Sequence, residues 1–172
     1  MSIHDDMKSI PIYPHTVAYA HANGEIAQFR ESNLANIACK AAIEASIAKH
    51  FDGMHLNPKA VSEVMDVFGP ERTQYVLANT VQMLSWDGRF SRDNKAWAVK
   101  VDVVEDITAG HDRRLVFIVN SHPAVLDGFI TQTRQMILQQ EHKPSVRAQL
   151  HAVPALQKKT PSQIGKRKEA VR

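Results

Sequence analysis

The 172-residue chain contains a single cysteine, Cys39, so it has no internal disulfide. It also lacks any uncharged apolar run near the roughly 18 residues that a membrane-spanning helix needs. Its first ten residues are polar and acidic, without the apolar centre of a secretory signal. These absences predict a protein of a reducing compartment, the cytoplasm, with no membrane partner.

Motifs that fix a chemistry are missing as well. The sequence has no Gly-rich phosphate loop, no nucleophile elbow and no paired-histidine metal motif, which weakens an enzyme interpretation and predicts no cofactor. Two imidazoles and a carboxylate occur together at His50, Asp52 and His55. Their spacing matches no standard metal loop, so we favour a solvated helix end and predict no metal there.

The net charge of +3 is unevenly distributed along the chain. Residues 143–172 hold eight basic residues and one acidic residue, whereas residues 1–142 carry a net charge of −4. We therefore predict one globular domain over residues 1–142 and a basic, flexible tail over residues 143–172. The tail is either a nucleic-acid arm or a solubilising end. The residues predicted for such an arm are Lys158, Lys159, Lys166, Arg167 and Lys168.

Hydrophobic periodicity predicts a mainly helical α+β fold, with about five helices and one small antiparallel β hairpin packed on one side. The longest helix is expected over residues 25–51, with a break near Ser32-Asn33, and Cys39 is expected to be packing filler within it. Gly69-Pro70 is predicted to end one helix and begin the next. The remaining helices are predicted over residues 15–22, 57–69, 70–84, 91–98 and 122–137. The two strands are predicted over residues 99–103 and 115–119.

Both tryptophans lie in residues 85–98, a segment that we call the Trp-Arg loop. Trp and Arg are frequent binding hot spots, and both stack on nucleic-acid bases. The segment is therefore a candidate surface for a protein or nucleic-acid partner. The residues predicted to contact that partner are Trp86, Arg89, Arg92, Asn94, Trp97, Arg113 and Arg114.

A structural role for the same loop stays open. In that interpretation Trp86 and Trp97 anchor the loop in the core, while Asp87 and Asp93 pair with Arg89 and Arg92 to hold its shape.

A second candidate site is the run His111-Asp112-Arg113-Arg114, an acid-base pair beside two possible phosphate ligands. Adjacent residues on a strand point to opposite faces, which argues against a concerted site. The run nevertheless defines the alternative function, an enzyme that acts on a phosphorylated or nucleotide substrate. His122, before Pro123, is interpreted as a helix cap.

Seven short segments carry a resemblance to a known family. They are AYAHANGE (18–25), NIACKAAIE (36–44), HFDGMHL (50–56), VLANTV (76–81), WDGRFS (86–91), NKAWA (94–98) and NSHP (120–123). Together the segments resemble an uncharacterised bacterial domain-of-unknown-function family that is associated with plasmids, conjugative elements and prophages. The resemblance spans residues 11–141 and leaves the basic tail outside. It implies a mobile-element setting and no catalytic residues.

Taken together, these features predict an accessory binding or regulatory protein of a bacterial mobile element, with a protein or nucleic acid as partner. Inhibition of a host defence system is one role that fits such a setting.

Overall fold

The computed structural model describes residues 7–143 and is mainly helical, with one two-stranded antiparallel sheet. This architecture confirms the predicted α+β class. In the described part, the helices are α1 (Val17–Asn23), α2 (Ile26–His50), α3 (Lys59–Met83), α4 (Arg92–Lys100) and α5 (Pro123–His142). A 3-10 helix covers Arg113–Phe117, the strands are β1 (Ile107–Thr108) and β2 (His111–Asp112), and residues 7–9 are also helical.

The contacts of the chain divide it into two units, with the boundary between Ile137 and Leu138. All contacts described below lie within the first unit. The predicted domain boundary at residue 142 stays a prediction, and the predicted nucleic-acid arm, Lys158 to Lys168, lies outside the described residues.

Helices α1 and α2 follow one another across a single glycine turn. Thr16 caps α1 by accepting a hydrogen bond from the Tyr19 N–H, and Gly24 ends it in the left-handed conformation at φ 72°. The predicted break in α2 near Ser32-Asn33 is wrong, because the helix is continuous. Ser32 is buried there, and its Oγ accepts a hydrogen bond of 2.9 Å from the Tyr13 N–H. A satisfied polar group of this kind does not require the helix to open.

Helix α3 consists of two helical segments that meet at Gly69, as the Gly69-Pro70 pair predicts. Gly69 has φ 78° and ψ 162°, a conformation that is essentially reserved for glycine. Asn57 supports the start of the helix, since its Oδ1 accepts a hydrogen bond of 3.0 Å from the Lys59 N–H.

The hydrophobic core lies where α2, α3 and α5 meet. Small residues let the helices approach closely, and Cys39 is fully buried among them. Burial raises the pKa of the Cys39 thiol to about 12, so the thiol stays protonated at neutral pH and fills space. The largest apolar side chains of this core with no measurable exposure include Ile43, Val61, Val76, Leu77, Phe129 and Ile130.

Both predicted strand positions are wrong, although the hairpin exists. Residues 99 and 100 end α4, and residues 115–117 belong to the 3-10 helix. The strands instead lie at residues 107–112, joined by a tight turn in which Ala109 and Gly110 both have positive φ. The apolar residues at 99–103 and 115–119 that are buried, such as Val119, pack against helices and not in a sheet. The Val119 N–H donates to Thr80 Oγ1 of α3, so a helix side chain replaces a partner strand.

Within residues 7–143, no helix has the length and apolar character needed to cross a membrane.

Candidate functional site

The Trp-Arg loop follows α3, whose C-cap is Leu84, and its first half is held by a buried carboxylate. Asp87 is 6% exposed, and its backbone N–H donates to the Leu84 carbonyl at 2.9 Å. Its carboxylate accepts three hydrogen bonds from Arg89: from the backbone N–H at 2.9 Å, from Nε at 3.0 Å and from Nη2 at 2.7 Å. The Arg89 fork is therefore fixed bidentately on its inner side, which leaves the Nη1 donors free to face outward.

The electrostatics of this pair follow from those contacts. The Arg89 side chain lowers the pKa of Asp87 to about 2, and Asp87 in turn raises the pKa of Arg89. Both groups are consequently charged at every physiological pH, and their charges cancel locally.

The second half of the loop forms the start of α4 and is fastened to α5. Ser91 caps α4 by accepting a hydrogen bond from the Asn94 N–H, and its own N–H donates to Asp127 Oδ1 at 2.9 Å. Asn94 is fully buried, and its Nδ2 donates to the Asp127 carbonyl oxygen, Asp127 Oδ1 and Thr131 Oγ1. Arg134 completes the network by donating from Nη1 to Asn94 Oδ1 at 2.8 Å.

The two tryptophans have different environments. Trp86 is 77% exposed, so it does not anchor the loop in the core. Trp97 is half-buried against the hydrophobic core, and the Arg134 guanidinium carbon lies 5.9 Å from the centre of its ring. Arg92 is exposed, and among the described residues its predicted partner Asp93 has no ion pair. Trp86, Arg89 and Arg92 thus reach solvent, whereas Asn94 and Trp97 serve the interior.

Arg113 and Arg114 directly follow strand β2, and none of their described hydrogen bonds or ion pairs involves a residue of the Trp-Arg loop. Arg114 donates from Nε to both carboxylate oxygens of Asp112 and also pairs with Glu105 at 3.6 Å. Arg113 is exposed, and so is His111. The four residues of the run therefore do not converge on one point.

A cleft does border the two arginines, but it is narrow. It is lined mainly by aromatic and amide side chains, and its cavity measures about 30 Å³. That volume holds a water molecule or two, whereas pockets for drug-sized or nucleotide-sized ligands usually measure about 300–1,000 Å³.

The histidine candidates serve local structure. His50 Nε2 lies 3.0 Å from Glu63 Oε2, and this contact lowers the pKa of Glu63. Asp52 Oδ1 accepts the backbone N–H groups of Met54 and His55. His122 Nδ1 accepts the Ala124 N–H, as its interpretation as a cap predicts.

Sequence reasoning missed the α5 residues that position the loop, namely Asp127, Thr131 and Arg134. They lie at spacings of four and three residues, so they form one polar stripe on a helix whose buried face is formed by Leu126, Phe129, Ile130 and Thr133. That stripe is the signal that could have identified them.

A family model described as "Protein of unknown function (DUF3849)" matches residues 12–138. The match agrees with the predicted resemblance to an uncharacterised family, in which the basic tail lies outside the related region. No curated protein and no solved structure matches the chain significantly.

Proposed function

The chain belongs to this family of unknown function, and from its surface we propose that it is a binding protein that engages a protein partner through Trp86 and Arg89. The observation that carries the proposal is an indole that is 77% exposed beside an arginine held rigid by a buried carboxylate.

Covering the exposed indole of Trp86 with a partner would be energetically favourable. A tryptophan buries about 150–250 Å² when fully covered. At about 25 cal/mol/Å², covering the exposed part of Trp86 is worth about 3–5 kcal/mol before the costs of association. An exposed side chain of this size is the type that dominates interfaces.

Arg89 supports the same interpretation because its geometry is set before a partner arrives. A preorganised fork loses less conformational entropy on binding than a free arginine does. The inner carboxylate of Asp87 also neutralises much of its charge, and the remaining charged residues of the loop are Arg92, Lys95 and the acid Asp93. Such a mixed surface attracts phosphates weakly, so it favours a protein over a nucleic acid.

The biological setting is part of the proposal. An accessory or regulatory role in a bacterial mobile element, including inhibition of a host defence system, is consistent with the resemblance given by the sequence. A separate nucleic-acid contact through the basic tail remains an independent proposal, because those residues lie outside the described part of the chain.

The alternative, an enzyme that acts on a phosphorylated or nucleotide substrate through residues 111–114, has less support. Arg114 and Asp112 satisfy each other, and the adjacent cavity of about 30 Å³ does not accommodate such a substrate without opening.

The test is affinity capture from the native host, with nucleic acid retained in one arm and digested in the other. Trp86→Ala should lose the captured protein in both arms. Met54→Ala is the matched control, because Met54 is an apolar side chain that is 83% exposed and lies in a different turn. Retention of the partner by Trp86→Ala would show that this surface does not bind it. If the unsubstituted protein loses its partner only after digestion, the partner is a nucleic acid or is bound through one.

A parallel pair addresses the arginine. Arg89→Lys keeps the charge but loses the bidentate fork, so it should weaken capture, whereas Arg30→Lys at another exposed arginine should not.

A further inference from the structure

Arg72 is a buried cation with an unusual set of partners. It lies just after the Gly69-Pro70 break in α3 and is 2% exposed. Its Nη1 donates to the Ser32 carbonyl oxygen at 3.0 Å and to Asn36 Oδ1 at 2.8 Å, and its Nη2 donates to the Ile10 carbonyl oxygen at 2.9 Å. All three acceptors are neutral.

A counter-charge is missing from the described residues around this guanidinium. Within residues 7–143, no carboxylate oxygen lies within 4.0 Å of it. Burial lowers the pKa of Arg72, but an arginine remains charged at neutral pH. Buried charges in proteins are normally paired, since an unpaired one is costly.

Arg72 also has N–H groups that are not used in these three hydrogen bonds. A guanidinium has five N–H donors, and the three hydrogen bonds above leave the Nε–H and one Nη2–H of Arg72 without a described acceptor.

Arg72 borders a cavity of about 330 Å³ that contains a second cation. The cavity is lined by the N-terminal segment through Lys8, Ile10 and Ile12 and by α3 from Phe68 to Arg72. Lys8 is exposed at this cavity, and Glu71 is the one acid among the described residues that line it. Glu71 is exposed and makes no ion pair with Arg72 or Lys8 among the described contacts.

We propose that this cavity is a binding site for a small oxyanion, with Arg72 as the inner ligand and Lys8 as the outer one. Phosphate-type and carboxylate-type groups share the required chemistry, because both present oxygens that accept from a guanidinium and an ammonium together. The volume exceeds that of a single such group, so the anion can belong to a larger molecule. The proposal is independent of the Trp-Arg loop.

The experiment is an NMR titration of the full-length chain that follows the Arg72 Nε–H signal. Inorganic phosphate is added in one arm and acetate in another, with chloride at matched ionic strength as the reference. The expected result is a saturable shift with phosphate or acetate and none with chloride. Saturation by phosphate alone assigns the site to phosphate-type groups, and saturation by acetate assigns it to carboxylates as well.

Two variants define the site. Lys8→Gln should raise the dissociation constant about two- to fivefold, the effect of losing one exposed charge contact. Lys59→Gln, at another exposed lysine, should leave it unchanged. The proposal is overturned if neither anion saturates, if chloride gives the same shift, or if Lys8→Gln binds like the unsubstituted protein. Lys8 is used because Arg72→Gln is expected to disturb folding.

Discussion

Replacement of Asn94 by alanine tests whether the Trp-Arg loop is fastened to α5 in the way described. Asn94 is fully buried, and its amide takes part in four hydrogen bonds of 2.8–3.1 Å. Two of them involve charged groups, Asp127 and Arg134. The alanine variant removes all four and leaves a small cavity.

The expected magnitude follows from those contacts. Net contributions are about 1.5–3 kcal/mol for a hydrogen bond to a charged group and about 1 kcal/mol for a neutral one. Part of the loss is recovered because Arg134 is partly exposed and water can replace its acceptor. Asp127 Oδ1 also keeps the Ser91 N–H. We therefore expect Asn94→Ala to lower the free energy of unfolding by about 3 kcal/mol, which for this size corresponds to a Tm decrease of about 6–12 °C.

Thermal and urea unfolding followed by circular dichroism measure this change. Arg92→Ala is the matched control in the same helix, because Arg92 is exposed and its loss should change stability by no more than about 0.5 kcal/mol. A Tm for Asn94→Ala within 2 °C, or about 0.5 kcal/mol, of the unsubstituted protein would refute the inferred network.

Three further results are expected. Gly69→Ala should lower the free energy of unfolding in urea by about 1–3 kcal/mol, because alanine is strained at φ 78°. Steric clash adds nothing to this cost, since the nearest atom to an added Cβ is Lys8 Cγ at 3.8 Å, and a cost near zero would contradict the φ of 78°. Cys39, whose pKa is raised to about 12, should react with iodoacetamide at pH 8 only as fast as the protein unfolds, and rapid labelling of the folded chain would show that the thiol is accessible. Asp87 has a folded pKa of about 2, below its unfolded value of about 3.9, so its contribution is present above that value and is lost as the pH falls towards 2. The urea midpoint should therefore fall less steeply between about pH 5 and pH 2 in Asp87→Asn than in the unsubstituted protein, and parallel slopes would contradict this assignment.

Glycine and capping residues in the sequence correctly predicted several helix ends. Gly24 and Gly69 have the positive φ that their positions suggest, and Ser91 accepts the capping hydrogen bond from Asn94. Each of these features depends on residues within a few positions of each other, and that information is present in the sequence.

Features that depend on distant parts of the chain were not predictable in the same way. The apolar runs at residues 99–103 and 115–119 have the pattern of strands, but their buried members pack on helices. Thr80, 39 positions from Val119, supplies the acceptor that a neighbouring strand would have provided. Asn94 likewise has an ordinary local context, and its partners lie 33–40 residues further along, on α5.

The binding and structural interpretations of the Trp-Arg loop apply to different residues of the same segment. Asp87 and Asn94 are buried and satisfy the backbone and α5, so their contacts define the conformation of the loop. Trp86 contributes little to that conformation because it is 77% exposed. Arg89 has both roles, since it is exposed to solvent and also pairs with the buried Asp87. A rigid base with a free aromatic side chain limits the entropy lost on binding, which is the condition under which a small surface can be specific. Variants of Trp86 should therefore change partner capture without changing stability, variants of Asn94 should change stability first, and Arg89 variants should change both.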